Sequence, residues 1–282
     1  MDAADHRTAE TQGRELVNSS PAVPVAEGYD RWASTYDYGP NPLLACEERH
    51  LLPFVLGLRH KRILDLACGT GRWLERLIAQ GGESGVGIDS SVAMLRVAGK
   101  KDTITGRLAQ AACESLPFRS TVFDLAICSF SLGHIRDMES MVRELARVTK
   151  PGADVLVSDL HPEAYARGWR VGFRDQDSAV QIETLPRTAE EIVQAFHANG
   201  LECLTHMSLR LGDPEQPIFA RAGKGRSFQE ACQLPAILVC HFKRLPLQTA
   251  PISNRPLMSL MNSSKTDDST RSRRDPLAEA QV

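Results

Sequence analysis

With 282 residues, 42% hydrophobic and 24% charged, the chain has enough apolar content for one large globular core or two small ones. A formal net charge of −2 gives no basic excess to attract nucleic acid, and the longest apolar runs, such as AILVC at 236–240, fall far short of the ~20 residues of a membrane span. Seven cysteines, at 46, 68, 113, 128, 203, 232 and 240, form no CxxC pair, so they read as reduced packing residues of a cytoplasmic protein, with no metal site and no disulfide frame.

Residues 1–26 are polar, begin with an acidic stretch unlike a secretory signal, and are broken by Pro21 and Pro24, which predicts a disordered tail. RILDLA (62–67) predicts a strand, and RWLERLIAQ (72–80) a helix stopped by Gly81-Gly82. GVGID (85–89) predicts the next strand, with SVAMLRVAGK the helix after it. Further strands are expected at 106–112 and 123–130. MESMVRELARVTK (138–150) has apolar residues at helical spacing, stops at Pro151-Gly152 and yields to a strand at 153–160. An irregular insertion, 161–186, precedes the helix TAEEIVQAFHANG, in which Thr188 and Glu191 fit a capping box. Last strands are expected at 201–211 and 236–245. Residues 246–282, with Pro246, Pro251, Pro256, Pro276 and SSKTDDSTRSRR, predict a second disordered tail. Apolar strands alternating with amphipathic helices give an α/β fold: a mostly parallel sheet with helices on both faces and ligands beyond the carboxyl ends of its strands.

The glycine loop in LDLACGTG (64–71) sits at such an end. A phosphate-cradling loop needs Lys-Ser/Thr after its last glycine, and here Arg72-Trp73 follow. A dinucleotide fingerprint wants a third small residue where Leu74 stands, which disfavours a nicotinamide oxidoreductase. The stretch instead resembles the first motif of the class I, Rossmann-like methyltransferases that use S-adenosylmethionine. Asp89 ends the second strand at the distance from the loop suited to accepting both ribose hydroxyls. AACESLPFRSTVFD (111–124) is similar to the family's DAExLPF…FD segment, with Ala112 where an aspartate usually meets adenine. LARVTKPGADVLVSDLHP (145–162) is similar to its helix–turn–strand. YDRWASTYD (29–37) looks like the N-terminal cap of small-molecule and quinone-type members.

The resemblance implies a single Rossmann-like methyltransferase domain over 27–245 with a seven-stranded sheet, a helical cap at 27–58 and a substrate lid at 161–186. It implies that Asp65 holds the amino end of S-adenosylmethionine, with Ala67, Gly69 and Gly71 beside it. It implies Asp89, Ser90 and Met94 at the adenosine, Cys113 and Glu114 toward adenine, Tyr36 over the methionine end, and Ser129 among the cofactor-binding residues. Gln110 is a further adenine candidate, and Asp37 joins Tyr36 in the cap. Cys113 has no His or Lys beside it in sequence and reads as a packed thiol. Asp65 has a purely structural alternative, a carboxylate satisfied by backbone amides of the turn.

Methyl transfer needs a general base only where the acceptor must lose a proton; His134 and His161, after the fourth and fifth strands, are the candidates. Trp169 and Phe173 offer an apolar acceptor wall, with Arg170 and Arg174 for an acidic group. CSFSLG after the fourth strand lacks the DPPY-like turn of the enzymes that methylate DNA bases and glutamine. The expected activity is methyl transfer to oxygen or carbon of a small molecule. Malonyl-carrier-protein O-methylation and tRNA modification stand as alternatives. A non-catalytic S-adenosylmethionine-binding module is the reading from a different class, favoured by Ala112.

Overall fold

The computed structural model describes residues 22–55, 62–176 and 178–246. Seven strands form the main sheet in the order β3-β2-β1-β4-β5-β9-β8. They are β1 (Arg62–Leu66), β2 (Ser84–Asp89), β3 (Leu108–Gln110), β4 (Phe123–Ser129), β5 (Thr149–Leu160), β8 (Leu201–Arg210) and β9 (Pro235–Arg244). The pairs β1–β2, β1–β4, β2–β3 and β4–β5 are parallel, whereas β9 runs antiparallel to both β5 and β8. Strand order reverses between β1 and β4, so a crevice opens at their carboxyl ends.

Burial on both faces explains the near-continuous apolar strands. Leu64, Leu66, Ala126, Val155 and Val157 pack toward α5 (Met138–Val148) and α7 (Ala189–Ala198). Ile63, Leu125, Ile127 and Leu156 pack on the opposite face against α2 (Pro42–Val55) and α3 (Arg72–Ala79). Side chains alternate across a strand. Asp65, Ser129 and Ser158 are therefore on the second face, in register at the carboxyl ends of β1, β4 and β5, where α2 and α3 meet them. The α4 helix (Val92–Ala98) follows β2, with Ser91 as its N-cap accepting from the Met94 amide. The capping box expected of Thr188 and Glu191 opens α7.

The first expected tail boundary is moved by the structure. Val23 donates to Gln181 and accepts from Glu183 through its backbone, and α1 (Val25–Trp32) starts before residue 27. The segment at 22–26, read as tail because of its prolines, finds its backbone partners on a distant hairpin. Residues 1–21 and 247–282 of the expected tails lie outside the described residues.

That hairpin is the expected lid. Residues 161–186 form α6 (Pro162–Ala166) and the two-stranded β6 (Gly172–Asp175) and β7 (Ser178–Gln181). Phe173 stacks on Trp32 of α1 at 5.2 Å between ring centroids, and Arg31 pairs with Asp175 at 2.7 Å. A Cβ at Gly28 would sit 2.7 Å from Ile182, so glycine lets α1 lie flat on the hairpin. The hairpin thus backs the N-terminal cap from outside.

Candidate active site

A cleft of about 900 Å³, partly open to solvent, lies beyond the carboxyl ends of β1, β2 and β4 and beneath α1. Its floor is the turn after β1. Ala67, Gly69 and Gly71 there all have left-handed backbones, at φ 55°, 54° and 77°. The two glycines serve different ends. A Cβ at Gly71 would overlap the Ile104 side chain, whereas one at Gly69 would meet nothing within 4 Å and project into open space. Gly69 lines the cleft and leaves open space beside its backbone; Gly71 is packed against Ile104 and does not line it. Gly71→Ala is expected to cost about 1–3 kcal/mol of stability from backbone strain and overpacking. Gly69→Ala adds only the strain, and its larger effect is on ligand affinity. Chemical denaturation beside ligand titration separates the two.

Ala67 and Phe130 are non-glycine residues at positive φ, both on the cleft wall, at the ends of β1 and β4. Strain of this kind concentrates where backbone must be aimed at a ligand.

Two buried carboxylates frame the floor. Asp65, 2% exposed, accepts from the Leu74 amide at 2.9 Å through Oδ2. The backbone-satisfied alternative therefore holds for one oxygen, and Leu74, the residue that breaks the dinucleotide pattern, supplies the donor. Burial pushes Asp65 up to about 7, against the opposing pull of that amide and of Arg72. Asp89 accepts from Gly69 N at 2.7 Å and from Ser91 N at 2.8 Å, so it fastens the glycine loop to the end of β2.

The sequence-derived cofactor residues Tyr36, Asp65, Ala67, Gly69 and Asp89 all line the cleft. So do Ser90, Met94, Cys113 and Ser129, whereas Gly71 and Glu114 do not. The amide of Gln110 is turned onto the Ser90 carbonyl at 3.1 Å. Burial holds the Cys113 thiol well above its ordinary range, as expected of a packed thiol.

The N-terminal cap is clamped over this floor by polar contacts the sequence did not disclose. Asp37 accepts from Thr70 Oγ1 of the glycine loop at 2.7 Å and pairs with Lys101 at 3.1 Å. Asp30 accepts from Ser91 Oγ at 2.7 Å. Tyr36 packs inside, its phenol pushed up to about 12 by burial.

Glu47 of α2, with no exposed surface, ties four elements together. One oxygen accepts from Ser129 Oγ at 2.7 Å and from Ser158 Oγ; the other accepts from Trp73 Nε1 at 3.1 Å and from Arg72 Nη2. Sequence reading passed over Glu47 because it stands in an amphipathic helix beside Glu48, which pairs at a half-exposed position with Arg76.

The two histidines part company. His134 lines the cleft: Nδ1 is 2.9 Å from the Glu183 carbonyl and Nε2 is 3.0 Å from Tyr29 Oη. A carbonyl only accepts, so Nδ1 carries the proton and Nε2 receives the Tyr29 hydroxyl proton. Burial holds Tyr29 well above 10, which keeps it a donor. Asp159, anchored by the Gly133 and Leu160 amides at 2.6 and 2.7 Å, is the buried acid electrostatically nearest His134. His161 instead caps α6, accepting from Glu163 N, and contacts Ser208 at 3.0 Å, away from the cleft.

The four expected acceptor residues do not line the cleft either. Trp169 packs against the second core face, and Phe173 supports Trp32 from behind. Arg170 spends its guanidinium on the Tyr165 and Trp169 carbonyls and lies 4.0 Å over the Tyr165 ring. Arg174 is exposed on the hairpin. Beside the glycine turn and the two acids, the cleft lining includes Val25, Ala26, Tyr29, Phe130, His134 and Ile135.

The donor set suits S-adenosylmethionine. An open glycine cradle, a buried acid for its cations and a second acid at the end of β2 match a zwitterionic, ribose-bearing ligand without phosphate. Among the described residues no helix is long and apolar enough to cross a membrane, and no cluster of His, Cys, Asp and Glu could hold a metal.

Comparison with known proteins agrees. Residues 63–152 match a family model described as a methyltransferase domain. The chain is 31% identical over 169 residues to the ubiquinone/menaquinone biosynthesis C-methyltransferase UbiE of Pectobacterium atrosepticum, covering 56% of this chain and 67% of that protein. Against the demethylmenaquinone methyltransferase of Corynebacterium urealyticum it is 32% identical, and the match spans 61% of the relative's length. The fold is shared with an S-adenosylmethionine-dependent methyltransferase from Mesorhizobium loti, with a TM-score of 0.57 at 21% identity over 72% of this chain and 100% of that one. The demethylmenaquinone methyltransferase of Streptomyces avermitilis is 35% identical over 180 residues, covering 62% of this chain and 73% of that protein. Identity of that order along nearly three quarters of a relative shows the family: this chain belongs to the class I methyltransferases that use S-adenosylmethionine.

Proposed function

We propose that the chain methylates a small hydroxylated aromatic acceptor of the quinol type, at carbon or oxygen, in the cytoplasm, and that Tyr29 and His134 take the acceptor's proton. The single observation carrying this reading is the Tyr29–His134 hydrogen bond, whose two residues line the cleft together with Val25, Ala26, Phe130 and Ile135. The names of the quinone-methylating relatives support the acceptor class. A net charge of −2 favours such an acceptor over tRNA.

S-adenosylmethionine supplies an electrophilic methyl group when bound. Asp65 receives its ammonium, Asp89 the ribose hydroxyls, and Met94 and Cys113 flank the adenine. The acceptor hydroxyl gives its proton to Tyr29 Oη as the Tyr29 proton passes to His134 Nε2, leaving an imidazolium near Asp159 and an acceptor phenolate. Attack through the phenolate oxygen would complete the transfer with S-adenosylhomocysteine leaving; attack through a ring carbon would be followed by loss of the proton on that carbon. Val25, Ala26, Phe130 and Ile135 exclude water, and the clamped cap fixes the approach line.

Transfer of labelled methyl from S-adenosylmethionine to reduced demethylmenaquinone, beside malonyl-carrier protein and tRNA, tests the acceptor class. Label in the quinol fraction is expected. Label on the carrier protein or tRNA instead would overturn it.

The Asp65 assignment carries a pH dependence. Its carboxyl ionises about three units above the unfolded value, so its share of stability declines as pH rises from about 4 to 7. A bound ammonium favours the ionised form. Affinity for S-adenosylhomocysteine is therefore full above pH 7 and weakens on acidification below it, by up to about tenfold per unit. Calorimetry at pH 6 in buffers of different ionisation enthalpy should register proton release on binding; binding without proton release would contradict the assignment.

A further inference from the structure

One buried polar atom in the cleft wall has no partner. Four side-chain nitrogens among the described residues are buried without a hydrogen bond: Arg72 Nη1, Arg76 Nε, Gln181 Nε2 and Arg187 Nε. Of their residues only Arg72 lines the cleft. It is the first residue of α3, directly after Gly71, and its side chain keeps 17% exposure.

A guanidinium offers five donors in a rigid planar fork. Nη2 is spent on Glu47 and on Ser129 Oγ at 3.1 Å. Nη1 cannot be satisfied by Glu47 as well. That carboxylate already accepts from Ser129, Ser158, Trp73 and Arg72, which fills its lone-pair directions. Glu47 thus holds the fork in one orientation, with one arm engaged and the other idle. An idle, desolvated arm of a charged group costs free energy in the ligand-free protein, and a bound anion at the cleft wall would recover that cost.

We infer that Arg72 Nη1 is held for the α-carboxylate of S-adenosylmethionine, with Asp65 on the ammonium, so that the pair reads the ligand's amino-acid end as a zwitterion. This rests on the cofactor placement proposed above. S-adenosylmethionine carries no other anionic group, so that carboxylate is the strongest acceptor it offers to the guanidinium arm left over from the Glu47 pair. Glu47 is the positioning residue and Arg72 the contact.

The test compares two ligands that differ in one group: S-adenosylhomocysteine and its decarboxylated analogue, which keeps the amine. Both are titrated into wild type, Arg72→Gln and the double variant Glu47→Gln/Arg72→Gln, with thermal melts confirming folding. The double variant replaces the buried ion pair by neutral hydrogen-bonding amides and covers the case in which the single variant does not fold. Losing the carboxylate should weaken binding to wild type about 10- to 100-fold, the range of a hydrogen bond to a charged group, and change it little in the variants. An equal decarboxylation penalty in wild type and variants would overturn the inference while leaving the cofactor site in place. So would a variant that binds S-adenosylhomocysteine normally. If wild type binds neither ligand, the cofactor placement falls and this inference with it.

Discussion

Replacing His134 by glutamine is expected to lower methyl transfer to the acceptor by about 10²–10⁴-fold, the usual contribution of a positioned base, while affinity for S-adenosylhomocysteine stays near wild type. The separation follows from where His134 sits. Its Nδ1 is fixed by the Glu183 carbonyl and its Nε2 by Tyr29, and it has no hydrogen bond to Asp65 or Asp89. Glutamine can keep a hydrogen bond to either partner but cannot take a proton. Tyr29→Phe removes only the relay, leaving Nε2 bare, and should lose less rate than His134→Gln. Rates from labelled-methyl assays, read beside calorimetric affinities, check both variants. A His134→Gln enzyme with wild-type turnover would remove the histidine from the chemistry.

The largest stability loss is expected at Glu47. Truncating it to alanine strips Arg72 of its counter-ion and Trp73 of its acceptor, and leaves the Ser129 and Ser158 hydroxyl protons without the carboxylate they bond to, although Ser129 still accepts from Arg72. Breaking a buried ion pair from one side costs about 3–5 kcal/mol, because a charge stays behind without compensation. In a domain of this size that lowers the melting temperature by roughly 10 °C. Glu47→Gln keeps the shape and should cost less. Thermal and urea unfolding give the numbers; a loss under about 1 kcal/mol for the alanine variant would mean that the four contacts contribute little.

The glycine loop, the acid at the end of β2 and the alternation of strands and helices were legible because each depends on local chemistry: chain reversal at positive φ, short apolar runs between amphipathic stretches, and a carboxylate where a strand stops. Contacts across the chain were not. Asp37 stands 33 residues from the Thr70 hydroxyl it accepts from, and Glu47 stands 111 residues from Ser158. In sequence Glu47 is one of two adjacent glutamates, and only the crossing of α2 over β4 and β5 distinguishes the buried one. The residues expected to form an acceptor wall lie outside the cleft lining for a related reason. The aromatic and arginine residues of 161–186 look like pocket residues, but the backbone pairing of Val23 with the hairpin puts α1 between them and the cleft. His134 and His161 follow equivalent strands, yet one enters the cleft and the other caps a helix, a choice made by Pro162 starting α6 immediately after β5.

The most direct test of the account is calorimetric titration of S-adenosylhomocysteine into wild type and Asp89→Asn. Asparagine can still accept from Gly69 N through its amide oxygen, so the loop stays fastened, but the oxygen that accepts from Ser91 N and would serve the ribose becomes an NH2 donor. Micromolar binding to wild type, about −8 kcal/mol, with at least about tenfold weakening in a variant that thermal melts show to be folded is the predicted result. Equal affinity in the two proteins, or no binding to folded wild type, would contradict the placement of the cofactor on which the proposed chemistry stands.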